Sequence, residues 1–219
     1  MSSAQYVWYA AYGSNMHAAR FDYYRLGGTP PATAHDYPGF RDPTPPAAVT
    51  PLTLPGSLYF AWQSPVWTGG VAFYTDRPAD GWPTGVAARG YLLTTGQFGD
   101  LLAQEMYLPP AADFDPAPVL ADGCVRLGPG RYQTVLHADT RDGVPVLTFT
   151  APWRPETVVP QRPSARYLAM IADGLRAAHG WDTDRIVGYL AALPGIATHW
   201  TEPELRTALT GTAGLDLPD

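Results

Sequence analysis

Lysine is absent from this sequence: the 14 basic side chains are arginines, set singly among 20 acidic residues for a formal net charge of −6. No basic run occurs, which argues against a nucleic-acid partner, because phosphate binding needs clustered cations. Cysteine is nearly absent too. With Cys124 alone, neither an intramolecular disulfide nor a thiolate metal cluster within one chain can form. The five histidines (17, 35, 137, 179 and 199) show no short ligand spacing, so no metal is expected. Charged residues make up only 16% of the chain against 46% hydrophobic ones, a balance that favours a sizeable core over disorder. No apolar run approaches the ~18–20 residues that span a bilayer. The start, Met1 to Tyr6, lacks the basic and apolar segments of a secretory leader. The expectation is a cytoplasmic protein without a membrane partner.

What is present falls into an ordered pattern. Gln5 to Tyr12 is aromatic and free of breakers and reads as a strand, stopped by Gly13 and Ser14. Asn15 is placed to cap a helix running to Leu26 and Gly27-Gly28. The proline-dense stretch from Thr29 to Pro55 reads as ordered wrapping or extended loop, since Tyr37 and Phe40 punctuate it. Strands are expected at 57–62, 69–74 and 86–94, then a helix at 95–106 that Pro109-Pro110 ends. Between 124 and 151, Gly128-Pro129-Gly130 and Asp142-Gly143 supply turns between antiparallel strands. The last third is helical. Ser164 is a cap, Tyr167, Leu168, Ile171 and Leu175 form a packing stripe, Gly180 is a stop, and two shorter helices follow. Strands first and helices last point to the α+β class with a mixed or closed sheet.

The turn Tyr12-Gly13-Ser14-Asn15 joins a strand end to a helix start. That geometry aims backbone N–H groups at one spot, where a carboxylate or phosphate can bind. Gly13 permits close approach of a ligand. The pattern is not a phosphate loop, because neither G-x-x-x-x-G-K nor any lysine is present. By itself it supports an anion-binding turn or a plain connection.

A second candidate lies on the helix 95–106. Phe98, Leu101 and Leu102 form its apolar stripe, and Glu105 follows Phe98 by seven residues, about 20° away around the axis. A carboxylate on a core-facing stripe is costly unless paired or set in a cavity, and burial suits it to proton exchange. The alternative at this point is a helix that frays toward Pro109 and lets Glu105 reach water.

The string Tyr9-Ala10-Ala11-Tyr12-Gly13-Ser14-Asn15-Met16 resembles the "YGSN" signature of the γ-glutamyl cyclotransferase-like family. Gly56-Ser57-Leu58-Tyr59 is similar to that family's "G-x-L-Y" strand, and 86–94 is similar to the strand before its catalytic helix. The likeness is good over the first half of the chain and weak beyond Tyr107. It implies a small mixed β-barrel with flanking helices over 1–160. The family's common members are shorter, so the helical segment over 161–219 is expected as a C-terminal extension packed on that domain, there to cover the pocket or mediate a homodimer. It implies that Tyr12, Gly13, Ser14 and Asn15 bind the substrate's α-carboxylate and that Glu105 is the acid–base residue. The common "D-x-x-E-G" context is replaced here by Leu101, Leu102, Gln104 and Met106, which puts the subgroup in question. The implied activity is release of an amine from a small-molecule γ-glutamyl substrate with formation of 5-oxoproline, without a cofactor, as in a deprotection step of a specialised pathway. Another amide-cleaving or acyl-transfer enzyme on the same scaffold, or a non-catalytic small-molecule-binding protein, stays open.

Other residues read more plainly. Ser14 lacks the G-x-S-x-G context and a partner histidine of a serine hydrolase. Trp62, Trp67 and Trp82 read as core, with Trp67 beside a turn that could border the pocket. Arg162 and Arg166 read as solvated, with contact to an anionic substrate as the alternative.

Overall fold

In the computed structural model, residues 5–31 and 35–210 are described. The chain divides into two units, each discontinuous in sequence: Met1–Ala11, Ala19–Leu52 and Arg89–Pro152 in the first; Tyr12–Ala18, Thr53–Ala88 and Trp153–Asp219 in the second. Among the described residues the fold is mixed α+β, with six α-helices and two sheets.

The first unit is built on a six-stranded sheet in the order β2-β5-β1-β8-β7-β6. Its strands are β1 (Tyr6–Ala11), β2 (Ala48–Leu54), β5 (Val86–Thr94), β6 (Cys124–Arg126), β7 (Thr134–Arg141) and β8 (Val144–Thr150). β1 sits in the middle, antiparallel to β5 and parallel to β8. After Tyr6 every residue of β1 is buried, as both faces of a central strand require. The Thr148 hydroxyl adds a bond to the Ala10 carbonyl at 2.8 Å. Tyr9 anchors an aromatic layer, with ring centroids 5.1 Å from Phe149, 6.1 Å from Tyr91, 6.2 Å from Phe98 and 6.3 Å from Phe21. Phe21 belongs to α1 (Ala18–Leu26) and Phe98 to α2 (Thr95–Glu105), so this layer fixes both helices to the sheet.

The ladder has two ends, β2 and β6, so the closed barrel implied by the family resemblance is not seen. The proline-dense segment is ordered through particular groups. Gln97 completes a capping box with Thr94 at the start of α2 and also donates to the Asp42 and Thr44 carbonyls. The segment then enters β2, a strand the prolines obscured. A short helix α3 (Ala117–Asp122) was also not expected from the sequence. It starts at Pro116 and ends at Gly123 in left-handed conformation.

The second unit holds the antiparallel pair β3 (Ser57–Ser64) and β4 (Gly69–Thr75) and the helices α4 (Ala165–His179), α5 (Thr183–Ala191) and α6 (Glu202–Thr210). The expected caps of α4 are present: Ser164 accepts from the Tyr167 amide, and Gly180 has φ of 65°. β3 is interrupted by a bulge at Trp62, whose φ of 56° is rare for a bulky side chain. The segment 160–161 runs along β3, with Gln161 N donating to Phe60 O at 2.9 Å. No helix among the described residues is long and apolar enough to cross a membrane.

Candidate active site

The sequence-derived candidates fall in both units: Tyr12, Gly13, Ser14 and Asn15 in the second, Glu105 in the first.

Where the sequence suggested one helix opening at Asn15, the chain makes a 3-10 turn over Ser14–Met16, becomes extended at His17, and starts α1 at Ala18. Asn15 therefore does not cap α1; it is buried inside the turn. Met16 N donates to Gly13 O at 3.0 Å and His17 N to Ser14 O at 3.1 Å. A carboxylate held by this turn must therefore draw on donors before Met16.

The turn is seated by close packing. A Cβ on Gly13 would lie 3.1 Å from the Tyr167 hydroxyl, which itself accepts from Ala72 N at 3.1 Å. Met16 presses on α4 where residue 174 is glycine; a Cβ there would come within 2.4 Å of the Met16 Cβ. Tyr12 is buried with its ring 6.0 Å from that of Tyr74. Gly13 and Ser14 are half-buried, the two most accessible residues between Ala11 and Met16.

In the first unit Phe98, Leu101 and Leu102 are buried as their spacing predicts, while Glu105, the last residue of α2, is half-buried. It neither sinks into an apolar core nor swings into water. The Tyr24 hydroxyl donates to Glu105 Oε1 at 2.6 Å. Next to Glu105, buried Gln104 donates to the Tyr24 carbonyl at 3.0 Å, tying α2 to α1 by backbone as well as side chain.

Arg20 completes this cluster one helical turn before Tyr24. Its guanidinium lies 5.0 Å from the Tyr24 ring and 4.9 Å from the Tyr37 ring, and Nη2 donates to the Tyr37 hydroxyl at 2.5 Å. Burial works against its charge, but Tyr24, Tyr37 and the Glu105 carboxylate more than offset this, so its pKa is raised and it stays a cation. Burial, and next the Glu105 charge, push the Tyr24 phenol well above its ordinary range, so it is a fixed proton donor. Arg20 Nη1 is buried with no hydrogen-bond partner among the described residues. An orphaned buried donor costs about 1–3 kcal/mol, which a ligand's anionic group could offset.

Sequence reasoning passed over Arg20, Tyr24 and Tyr37. The i, i+4 spacing of Arg20 and Tyr24 was the available signal, while Tyr37 reaches them only through the loop after α1. Asp100, 1% exposed and one turn before Gln104, was also missed. It accepts from Arg41 Nε and Arg41 N, each at 2.7 Å, and so pins the loop before β2. No group of three or more His, Cys, Asp or Glu side chains that could hold a metal ion occurs among the described residues.

No family model matches the sequence. Histone deacetylase 5 of Arabidopsis thaliana is 34% identical over 154 residues, which is 66% of this chain and 23% of that protein. The chain thus spans less than a quarter of that relative's length. Among solved structures, a γ-glutamyl cyclotransferase aligns over 94% of this chain and 99% of its own, with 16% identity and a TM-score of 0.49. An uncharacterised human protein aligns over 87% of this chain and 89% of its own, also with 16% identity and a TM-score of 0.49.

Proposed function

We propose that the chain is a γ-glutamyl cyclotransferase-like enzyme that closes a γ-glutamyl amide into 5-oxoproline and releases the amine. The observation that carries this reading is the carboxylate of Glu105, held through Oε1 by a buried tyrosine and flanked by a permanent cation with an unused buried donor. The resemblance of Tyr12-Gly13-Ser14-Asn15 to the family signature supports it from the sequence.

In this reading, as the family resemblance implies, donors of the turn before Met16 bind the α-carboxylate. Glu105, ionised, takes a proton from the α-ammonium, and the freed amine attacks the γ-carbonyl carbon of the same glutamyl group. The new C–N bond closes the five-membered ring and the old amide C–N bond breaks. Ring closure removes two protons from the attacking nitrogen. The departing nitrogen gains two and leaves as an ammonium, so Glu105 ends as a carboxylate. Because nucleophile and electrophile belong to one molecule, proximity supplies much of the rate. Tyr24 orients the Glu105 carboxylate throughout, and Arg20 Nη1 offers a donor to an anionic part of the substrate.

A panel of γ-glutamyl amines and γ-glutamyl amino acids, followed by mass spectrometry, tests the reading. The expected product is 5-oxoproline from at least one member. Release of free glutamate, or turnover of none, contradicts it.

A further inference from the structure

Away from the turn, the second unit carries two adjoining cavities, of about 390 Å³ and 450 Å³. Gln63 and Gln161 line both, so the two form one groove with a pair of amide side chains at its middle. The ends differ in chemistry. One is lined by Arg162, His199 and Trp200; the other by Trp62, Trp153, Val158 and Val159.

We propose that this groove binds a small amphipathic carboxylate in which an apolar or aromatic group is joined through an amide to the acid. The site lies outside the turn and the Glu105 cluster, and the proposal goes beyond the cyclotransferase reading.

Charge complementarity selects the acid. Neither cavity is lined by Asp or Glu, although the chain as a whole has a net charge of −6. The Arg162 guanidinium lies 4.2 Å from the Trp200 ring centroid and makes no ion pair among the described residues. Stacked on the indole face, it keeps its edge N–H groups for a carboxylate. Glu204 is near enough to feel that charge, but its Oε2 is engaged by the Thr201 amide and hydroxyl at 2.8 and 2.9 Å. His199 Nδ1 is engaged within the protein, 3.0 Å from Thr198 Oγ1 and 3.2 Å from the Gly195 carbonyl. The side-chain amides of Gln63 and Gln161 can bind both the N–H and the C=O of a ligand amide.

The walls are held in place before any ligand arrives. Trp200 Nε1 donates to Pro163 O at 3.2 Å, and Gly70 N to Arg162 O at 2.8 Å. Trp62 and Thr68, one in each cavity, both have φ of 56°. Left-handed backbone at two non-glycine residues re-aims their side chains out of the regular hairpin alternation, a distortion that clusters at binding sites.

Titration calorimetry with N-acetyl-L-phenylalanine tests this, using its carboxamide and N-acetylglycine as controls. The acid should bind about tenfold more tightly than either control. Arg162→Gln should bring the acid down to the affinity of the carboxamide and leave the carboxamide unchanged. Val159→Asp, at a 73% exposed position that tolerates change, should weaken both phenylalanine probes. Far-UV circular dichroism checks that both variants fold. No binding of the acid, equal binding of all three probes, or acid binding untouched by Arg162→Gln would overturn the proposal. The last outcome would place the probe elsewhere, for example at the Tyr12–Met16 turn.

Discussion

At the Tyr12–Met16 turn the backbone is gripped by contact: Tyr167 against Gly13, and the bare face of Gly174 against Met16. At the end of α2 the grip is polar: a phenol on the carboxylate, Gln104 on a carbonyl, and a buried guanidinium stacked between tyrosines. The contrast suits the proposed roles. A site that offers backbone amides to a carboxylate needs a rigid main chain, and close packing provides that. A residue that moves protons needs a fixed orientation and a set local field, which buried hydrogen bonds and a nearby charge provide. Packing and polar networks also fail differently when mutated, and this separates the two regions by experiment.

The largest effect is expected at Glu105. Glu105→Gln keeps the shape and an acceptor for Tyr24, and should lower kcat by about 10²–10⁴ with little change in melting temperature. Loss of folding instead would recast Glu105 as structural. In the other region Gly174→Val should cost about 1–3 kcal/mol by overpacking against Met16, read as a lower melting temperature. An unchanged melting temperature would mean that the turn is not held by contact. Within the polar region, Asp100→Ala should cost about 2 kcal/mol, because a buried carboxylate with two charge-assisted bonds is lost. Asp113→Ala, the exposed arm of the same Arg41 fork, should cost under about 1 kcal/mol. Equal costs would remove burial as the source of strength. Tyr24→Phe should lower kcat about tenfold while leaving KM nearly unchanged, since the phenol acts on Glu105 and not on substrate.

The smallest expected effect is a pH dependence in the second unit. Burial, offset in part by the bond to the Ala88 carbonyl at 3.0 Å, lowers the pKa of His179 below its ordinary 6.5. A depressed pKa means that the folded state binds fewer protons than the unfolded one. The stability it contributes is therefore present above pH 6.5 and is lost as pH falls below it, through the folded pKa. Melting temperature should drop from pH 7.5 toward 5, and His179→Asn should flatten that slope.

Local features were legible in the sequence because short-range physics sets them. Ser164 and Gly180 bound α4 as their chemistry dictates, and the stripe Phe98, Leu101, Leu102 is buried as periodicity requires. The turn was legible as a string, yet its internal geometry was not: Asn15 goes inward and α1 starts only at Ala18. What surrounds Glu105 depends on which elements meet. Tyr24 and Arg20 reach it because the order β5-β1-β8 lets α1 and α2 share the aromatic layer on Tyr9, and no local pattern encodes that order. The same holds for Asp100, whose partner lies 59 residues away, and for the ends of the sheet, which set closure against opening.

The claim that the substrate's own α-amine is the nucleophile is tested most directly by masking that amine. With any γ-glutamyl amide that the protein turns over, the α-N-acetyl derivative should yield no product, while the free-amine form yields 5-oxoproline. Cleavage of the acetylated derivative with release of N-acetylglutamate would contradict the account.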